Sequence, residues 1–271
     1  MPLIVITRGS LGATSELAEI ISKKLNCRSV TREDGLNHAK KYGIDETGLA
    51  GGIMEKQPPH FWDRNAAQRR QYLIYLKAAL LDLLVDGNAV YNGHLAQFIL
   101  TDVPKLLRVR VDASMRIRVN HLMKQQNLTE EAAVAQIKEI DSRRNSWTKF
   151  LYGVEFNDPT NFDLILNRDK MSLETMAEAV ITIAQRPEFK FDDNSLKLLK
   201  DIRLKAVINA SLARSPRTQG IEVSIECDSQ SGIVRVSGLA PLVGTDTWTN
   251  DIKDVVTRVE GVRQVEVITK A

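Results

Sequence analysis

A short apolar run, Leu3-Ile4-Val5-Ile6, passes through Thr7-Arg8 into the small-residue stretch Gly9-Ser10-Leu11-Gly12-Ala13-Thr14-Ser15, and a helical pattern follows from Glu16. Four apolar residues without polar alternation suit a strand buried on both faces, the kind found in parallel sheets covered by helices. A strand that ends in a small-residue turn and restarts as a helix is the layout of a phosphate-binding loop. There the helix N-terminus and its free N–H groups meet an anion.

The loop is incomplete for catalysis. A working Gly-x-x-x-x-Gly-Lys loop needs glycines to turn N–H groups inward, a lysine for the outer phosphates and a neighbouring hydroxyl for Mg²⁺. Here Thr14 stands at the second glycine, Ser15 at the lysine and Glu16 at the metal hydroxyl. Gly9 and Gly12 still relax the turn, the helix start near Thr14 still attracts anions, and Arg8 brings positive charge from the strand end. The same residues also suit an ordinary strand-to-helix turn.

Helical patterns over 15–25, 32–43, 66–84, 114–126, 129–141 and 172–184 alternate with strand-like runs at 89–91, 106–111 and 164–166. This rhythm predicts an α/β fold with a parallel sheet flanked by helices. Thr129 before Glu130-Glu131-Ala132 is a helix-start signal, its hydroxyl placed to cap free N–H groups. The Gly- and Pro-containing stretch 47–59 reads as irregular. Beyond Arg186-Pro187 the pattern changes to helix (196–212), strand (221–227), turn, strand (233–238), helix (247–259) and strand (262–268). That is a small α+β unit of order αββαβ whose hairpin buries one face. The expected organisation is residues 1–187, a linker over 188–195, and a second domain over 196–271.

Composition excludes several classes. The chain of 271 residues carries a net charge of only +3, too small a surplus to imply nucleic acid. The two cysteines, Cys27 and Cys227, have neither metal spacing nor a disulfide framework. The four histidines, at positions 38, 60, 94 and 121, show no ligand spacing either. No apolar run approaches the roughly 18 residues of a membrane span. No secretory signal stands at the N-terminus, and the expected setting is a reducing cytoplasm.

Candidate chemistry is mainly arginine chemistry, since the guanidinium fork donates paired hydrogen bonds to phosphate. Arg116 and Arg118, with Asp141, Arg143 and Arg144, form one group. Asp141 and Arg144 are spaced to share a helix face, whereas Arg116 and Arg118 are not. A solvated charged face is the competing reading. Trp147, Phe150 and Tyr152 suit a lid, a stacked base or core. Asn92-Gly93-His94 follows a strand and so sits where ligands bind at strand C-termini. Asp63 and Arg64 suit an acceptor phosphate or base equally well as a surface.

At these positions the sequence resembles the cytidylate kinase-like family, relatives of bacterial CMP kinases. The resemblance is carried by Thr7-Arg8, Glu16-Leu17-Ala18, Val90 to His94, Leu106 to Ala113, Ile140-Asp141-Ser142-Arg143-Arg144 and Phe156 to Asn167. It implies a P-loop kinase fold with an acceptor region and an arginine-bearing lid. Arg143 or Arg144 would hold phosphates with Asp141 as orienting partner, and Arg116 would match a basic position. Arg8, Gly9, Gly12, Thr14, Ser15 and Asn167 would lie on the donor nucleotide, and Asp63, Arg64, Asn92 and His94 on the acceptor. Leu11, Ala13 and Thr14 fall where relatives carry glycine, Ser15 where they carry lysine or arginine, and His94 where many carry arginine. The expectation is a degenerate kinase-like protein that binds nucleotide or regulates. The alternative is an active kinase passing the γ-phosphoryl of ATP, with Mg²⁺, to CMP or a similar acceptor. Residues 196–271 resemble a BON domain through the hairpin Val223 to Gly238 and the ending Val259 to Val265. This implies a packing or regulatory module with a protein partner. The oligomeric state is left open.

Overall fold

A computed structural model describes residues 1–8, 14–44, 58, 66–93, 95–241 and 244–270, with all their side chains except those of Arg8 and Lys270. Five strands form one parallel sheet: β1 (Leu3–Arg8), β2 (Arg28–Thr31), β3 (Ala89–Asn92), β4 (Leu106–Asp112) and β5 (Leu164–Asn167), in the order β2-β3-β1-β4-β5. β1 is central because it is apolar on both sides. Leu3 and Val5 point into one layer and Ile4 and Ile6 into the other, and all four are shielded from water.

The first layer contains α2 (Arg32–Ala39), a 3-10 turn (Lys40–Tyr42), α3 (Ala66–Leu84), α4 (Ala96–Ile99) and one face of α8 (Asp193–Arg214). The second contains α1 (Thr14–Leu25) and α7 (Leu173–Ala184), packed through Leu17, Ile21, Met176 and Val180. α5 (Met115–Gln126) and α6 (Glu130–Tyr152) form a hairpin with its own small core of Val119, Leu122, Ala133 and Ile137. Thr129 caps α6 as its sequence foretells, accepting from the Ala132 N–H at 3.3 Å. The helix then continues well past Asp141, so Arg143, Arg144, Trp147 and Phe150 are all helical. β2 and the single turn of α4 have no counterpart among the sequence-based expectations. Of the expected irregular stretch 47–59, only Pro58 lies within the described residues.

The second sheet, β6 (Val223–Asp228), β7 (Ile233–Leu239) and β8 (Gln264–Lys270), joins an antiparallel hairpin to a parallel third strand. α9 (Thr245–Thr257) and the other face of α8 cover it, through Leu204, Ile208, Trp248 and Ile252. α8 therefore serves two cores: Leu199, Ala206 and Ala210 pack toward the parallel sheet, and Leu204, Ile208 and Leu212 toward the small one. The stretch before α8 is tied down. The Phe191 N–H donates to the Met1 carbonyl, Lys190 bridges to Pro2, and Asp192 and Ser195 form a capping box.

One buried carboxylate fastens α8 to the first layer. Asp82 of α3 meets the imidazole Nε2 of His38 (3.0 Å) and accepts from the Tyr42 hydroxyl (2.5 Å), Arg203 Nε (2.7 Å) and the Lys41 ammonium. Burial by itself would raise its pKa. The hydrogen bonds from Lys41, Tyr42, His38 and Arg203 outweigh burial and hold it at about 2.

Candidate functional site

Because β1, β3, β4 and β5 run parallel, their C-terminal residues Arg8, Asn92, Asp112 and Asn167 emerge on one edge of the sheet. That edge is where open α/β sheets bind ligands. α1 begins there with Thr14 fully buried and Ser15 exposed. Asn92 Nδ2 donates to Ser15 Oγ at 2.9 Å, joining the end of β3 to the first turn of α1. The first turn of α1 thus presents at this edge a short hydroxyl already engaged by an amide.

The Gly93 N–H donates to the Ile6 carbonyl at 3.2 Å. A Cβ on Gly93 would fall 2.2–2.4 Å from the ring and hydroxyl of Tyr91, so only glycine fits. Beneath the edge, Thr7 Oγ1 donates to Gln97 Oε1 at 2.7 Å, both residues being buried. Gln97 Nε2 is buried without a hydrogen-bond partner among the described residues. On the far side, Asn167 Oδ1 accepts from the Asp169 N–H, and the Asp169 carboxylate accepts the Ser114 N–H at 2.7 Å where α5 starts. That N–H, chiefly, holds the Asp169 carboxyl below its ordinary range, with the Arg116 charge adding to it.

The arginines come together across helices. Arg118 of α5 donates through Nη2 to Asp141 of α6 at 2.5 Å, while its Nε is buried without a partner among the described residues. Arg143, on the same helix as Asp141, lies 3.6 Å from Glu139. Arg116 is exposed. On β4, Arg110 donates to Asp112 at 2.7 Å and stacks near Phe156 and Phe162. Trp147 is buried in edge-to-face contact with Phe150, and the buried Arg69 of α3 lies 4.8 Å over its ring. Trp147 is therefore core to the α3–α6 contact and not a platform open to a base.

Of the sequence-predicted residues, the structure gathers Thr14, Ser15, Asn92 and Asn167 at the strand ends, and places Asp141, Arg143 and Arg144 on α6. Gly9, Gly12, Asp63, Arg64 and His94 lie outside the described residues, and of Arg8 only the backbone is described. Gln97 has a signal that sequence reasoning passed over, a lone amide inside the apolar run Leu95 to Leu100. Arg69 has none. Asp112 is already engaged by Arg110, and no cluster of three metal-ligating side chains occurs among the described residues. The described side chains at this edge do not by themselves form a carboxylate cage for a metal.

Sheet order and edge together define an α/β protein with a P-loop-kinase-like parallel sheet followed by a smaller mixed sheet. The chain belongs to the cytidylate kinase-like family, whose model matches residues 3–170. A cytidylate kinase of Pyrococcus horikoshii is 32% identical over 89 residues, 33% of this chain and 45% of that protein, so the match spans about half of that relative's length. A cytidylate kinase of Sulfurisphaera tokodaii is 22% identical over 179 residues, 66% of this chain and 93% of the relative. Among solved structures, an uncharacterized protein from Eubacterium ventriosum aligns with a TM-score of 0.49 at 18% identity, covering 67% of this chain and 97% of that one. The shikimate kinase of Bacteroides thetaiotaomicron aligns with a TM-score of 0.42 at 12% identity, covering 69% and 100%. No helix among the described residues is long and apolar enough to cross a membrane.

Proposed function

We propose that this chain binds a nucleotide at the C-terminal edge of its parallel sheet and is a weak or inactive phosphotransferase. The reading rests on family membership for nucleotide binding. For weak turnover it rests on one contact, the Asn92–Ser15 hydrogen bond at the position of the loop lysine. A hydroxyl donates no positive charge to a γ-phosphoryl in flight. Single electrostatic donors of that kind are worth roughly 3–4 kcal/mol of transition-state stabilisation. Arg116 of α5 and Arg143 and Arg144 of α6 would meet phosphate charge, with Asp141 as their orienting acid, which in this structure accepts from Arg118. Ser15, Asn167 and the backbone of Thr14 at the start of α1 would lie at the donor nucleotide, and Asn92 at the acceptor. Gly9, Gly12, Arg8, Asp63, Arg64 and His94 complete this assignment by resemblance alone. Any Mg²⁺ would arrive with ATP. The αββαβ unit, resembling a BON domain, is proposed as a packing or regulatory module, which the double role of α8 supports.

The second reading is an active kinase acting on CMP or a similar monophosphate, favoured by the arginine and acid side chains retained on α6. Calorimetric titration of the full chain with ATP and with CMP, each with and without Mg²⁺, tests the proposal. Saturable heat with either nucleotide is expected, with little turnover in a coupled assay. No heat and no thermal shift at millimolar nucleotide would refute nucleotide binding, and turnover at ordinary enzyme rates of about 1 per second or more would favour the second reading.

A further inference from the structure

α3 and α8 face each other along a groove whose walls share no residue with the candidate nucleotide edge. It holds two adjoining cavities of about 540 Å³ and 260 Å³, both walled by Arg70, Ile74 and Asn209. The volume is in the range of about 300–1,000 Å³ usual for small-molecule sites. Polar and apolar groups are laid out in rows. On α3, Arg70, Ile74 and Lys77 follow one another at helical-turn spacings, and on α8, Lys205 and Asn209 are one turn apart. Leu212 and Ala206 supply buried apolar wall between them.

The charges are unbalanced in one direction. Arg70 is paired with Glu222 at 2.8 Å and Lys77 with Asp102 at 2.8 Å, while the third cation, Lys205, has no carboxylate partner among the described residues. The side-chain amide of Asn209, central to both cavities, makes no hydrogen bond among the described residues. The larger cavity is bridged from α3 to the residue before β6 by the Arg70–Glu222 pair. Both of those side chains are well exposed, and such pairs exchange partners readily. A bridged cavity of this size takes a small molecule more readily than a folded partner.

We infer that this groove is a binding site for a small amphipathic organic anion. Lys205 takes the acid group, Asn209 a polar edge, and Ile74 and Leu212 the apolar body. The site lies outside the nucleotide edge, so it stands or falls separately from the function proposed above. The test is fluorescence titration of the full chain with 1-naphthyl phosphate, 1-naphthoate and neutral 1-naphthol, repeated with excess ATP. Both anions are expected to bind saturably and more tightly than naphthol, without displacement by ATP. Whichever anion binds tighter identifies the acid group. Lys205→Glu, an exposed position, is expected to weaken the anions about tenfold or more while leaving naphthol unchanged. Asn209→Trp is expected to block all three, with the fold checked by circular dichroism. Equal anion affinity in native and Lys205→Glu protein, or displacement of the probes by ATP, would overturn the inference.

Discussion

Asp82 keeps its charge although only 5% of its side chain meets water, because three cationic or ionisable groups and one phenol converge on it. An isolated carboxylate there would be neutral. With its donors in place, its pKa lies at about 2 against an ordinary 3.8. A depressed carboxylate contributes stability that is full above its unfolded pKa and lost as pH falls through the folded one. Acid titration of unfolding free energy should therefore show a fall between about pH 4 and pH 2 that Asp82→Asn flattens. At neutral pH the substitution should cost about 3 kcal/mol in denaturant unfolding, since Arg203 and Lys41 lose their counter-charge. An unchanged acid profile would show that the cluster contributes nothing to holding α8. None of this cluster is visible in the sequence. His38, Lys41, Tyr42 and Arg203 are far from Asp82 along the chain, and only the fold assembles them. By contrast, the departure of Thr14 and Ser15 from the Gly-Lys of a phosphate loop is legible residue by residue, because both sit at fixed offsets from Gly9.

At the scale of elements, α6 shows where sequence patterns run out. The apolar spacing over 129–141 marks its first half. Then Asp141-Ser142-Arg143-Arg144-Asn145-Ser146 interrupts the pattern with residues that favour turns. The helix absorbs them because their side chains find tertiary or local partners. Asp141 accepts from Arg118 at 2.5 Å, Asn145 Oδ1 accepts the Phe156 N–H at 3.0 Å, and just beyond the run Thr148 Oγ1 donates back to the Arg144 carbonyl at 2.9 Å. Trp147 then anchors the second half against Arg69. Trp147→Ala should destabilise the protein by about 3–5 kcal/mol in chemical unfolding. A loss below about 1 kcal/mol would mean that α6 is not held by this side chain. β2 escapes the sequence for a different reason: it is a four-residue edge strand in which only Val30 is buried, so it shows no apolar run. The Arg118–Asp141 pair crosses from α5 to α6, and local spacing, which drew attention to Asp141 with Arg144, has no means of finding it.

Across the whole molecule, the strands legible as apolar runs are those that set the geometry of the site. β1, β3, β4 and β5 are parallel, so their ends meet whatever their sequence separation. The edge they form joins Asn92 to Ser15 and carries Asn167 two strands beyond β1, with the arginines of α5 and α6 on other helices. What the fold adds is α8, which belongs to both cores and makes the small sheet a neighbour of α3. We propose that this edge binds nucleotide phosphates without a loop lysine and so transfers phosphoryl groups poorly. ATP affinity and phosphoryl transfer to CMP, measured side by side in the native chain and in Ser15→Lys, test it most directly. The native chain is expected to bind ATP with little turnover, and Ser15→Lys to raise turnover by about tenfold or more. Native turnover equal to that of Ser15→Lys at an ordinary enzyme rate, or no ATP binding by either protein, would contradict it.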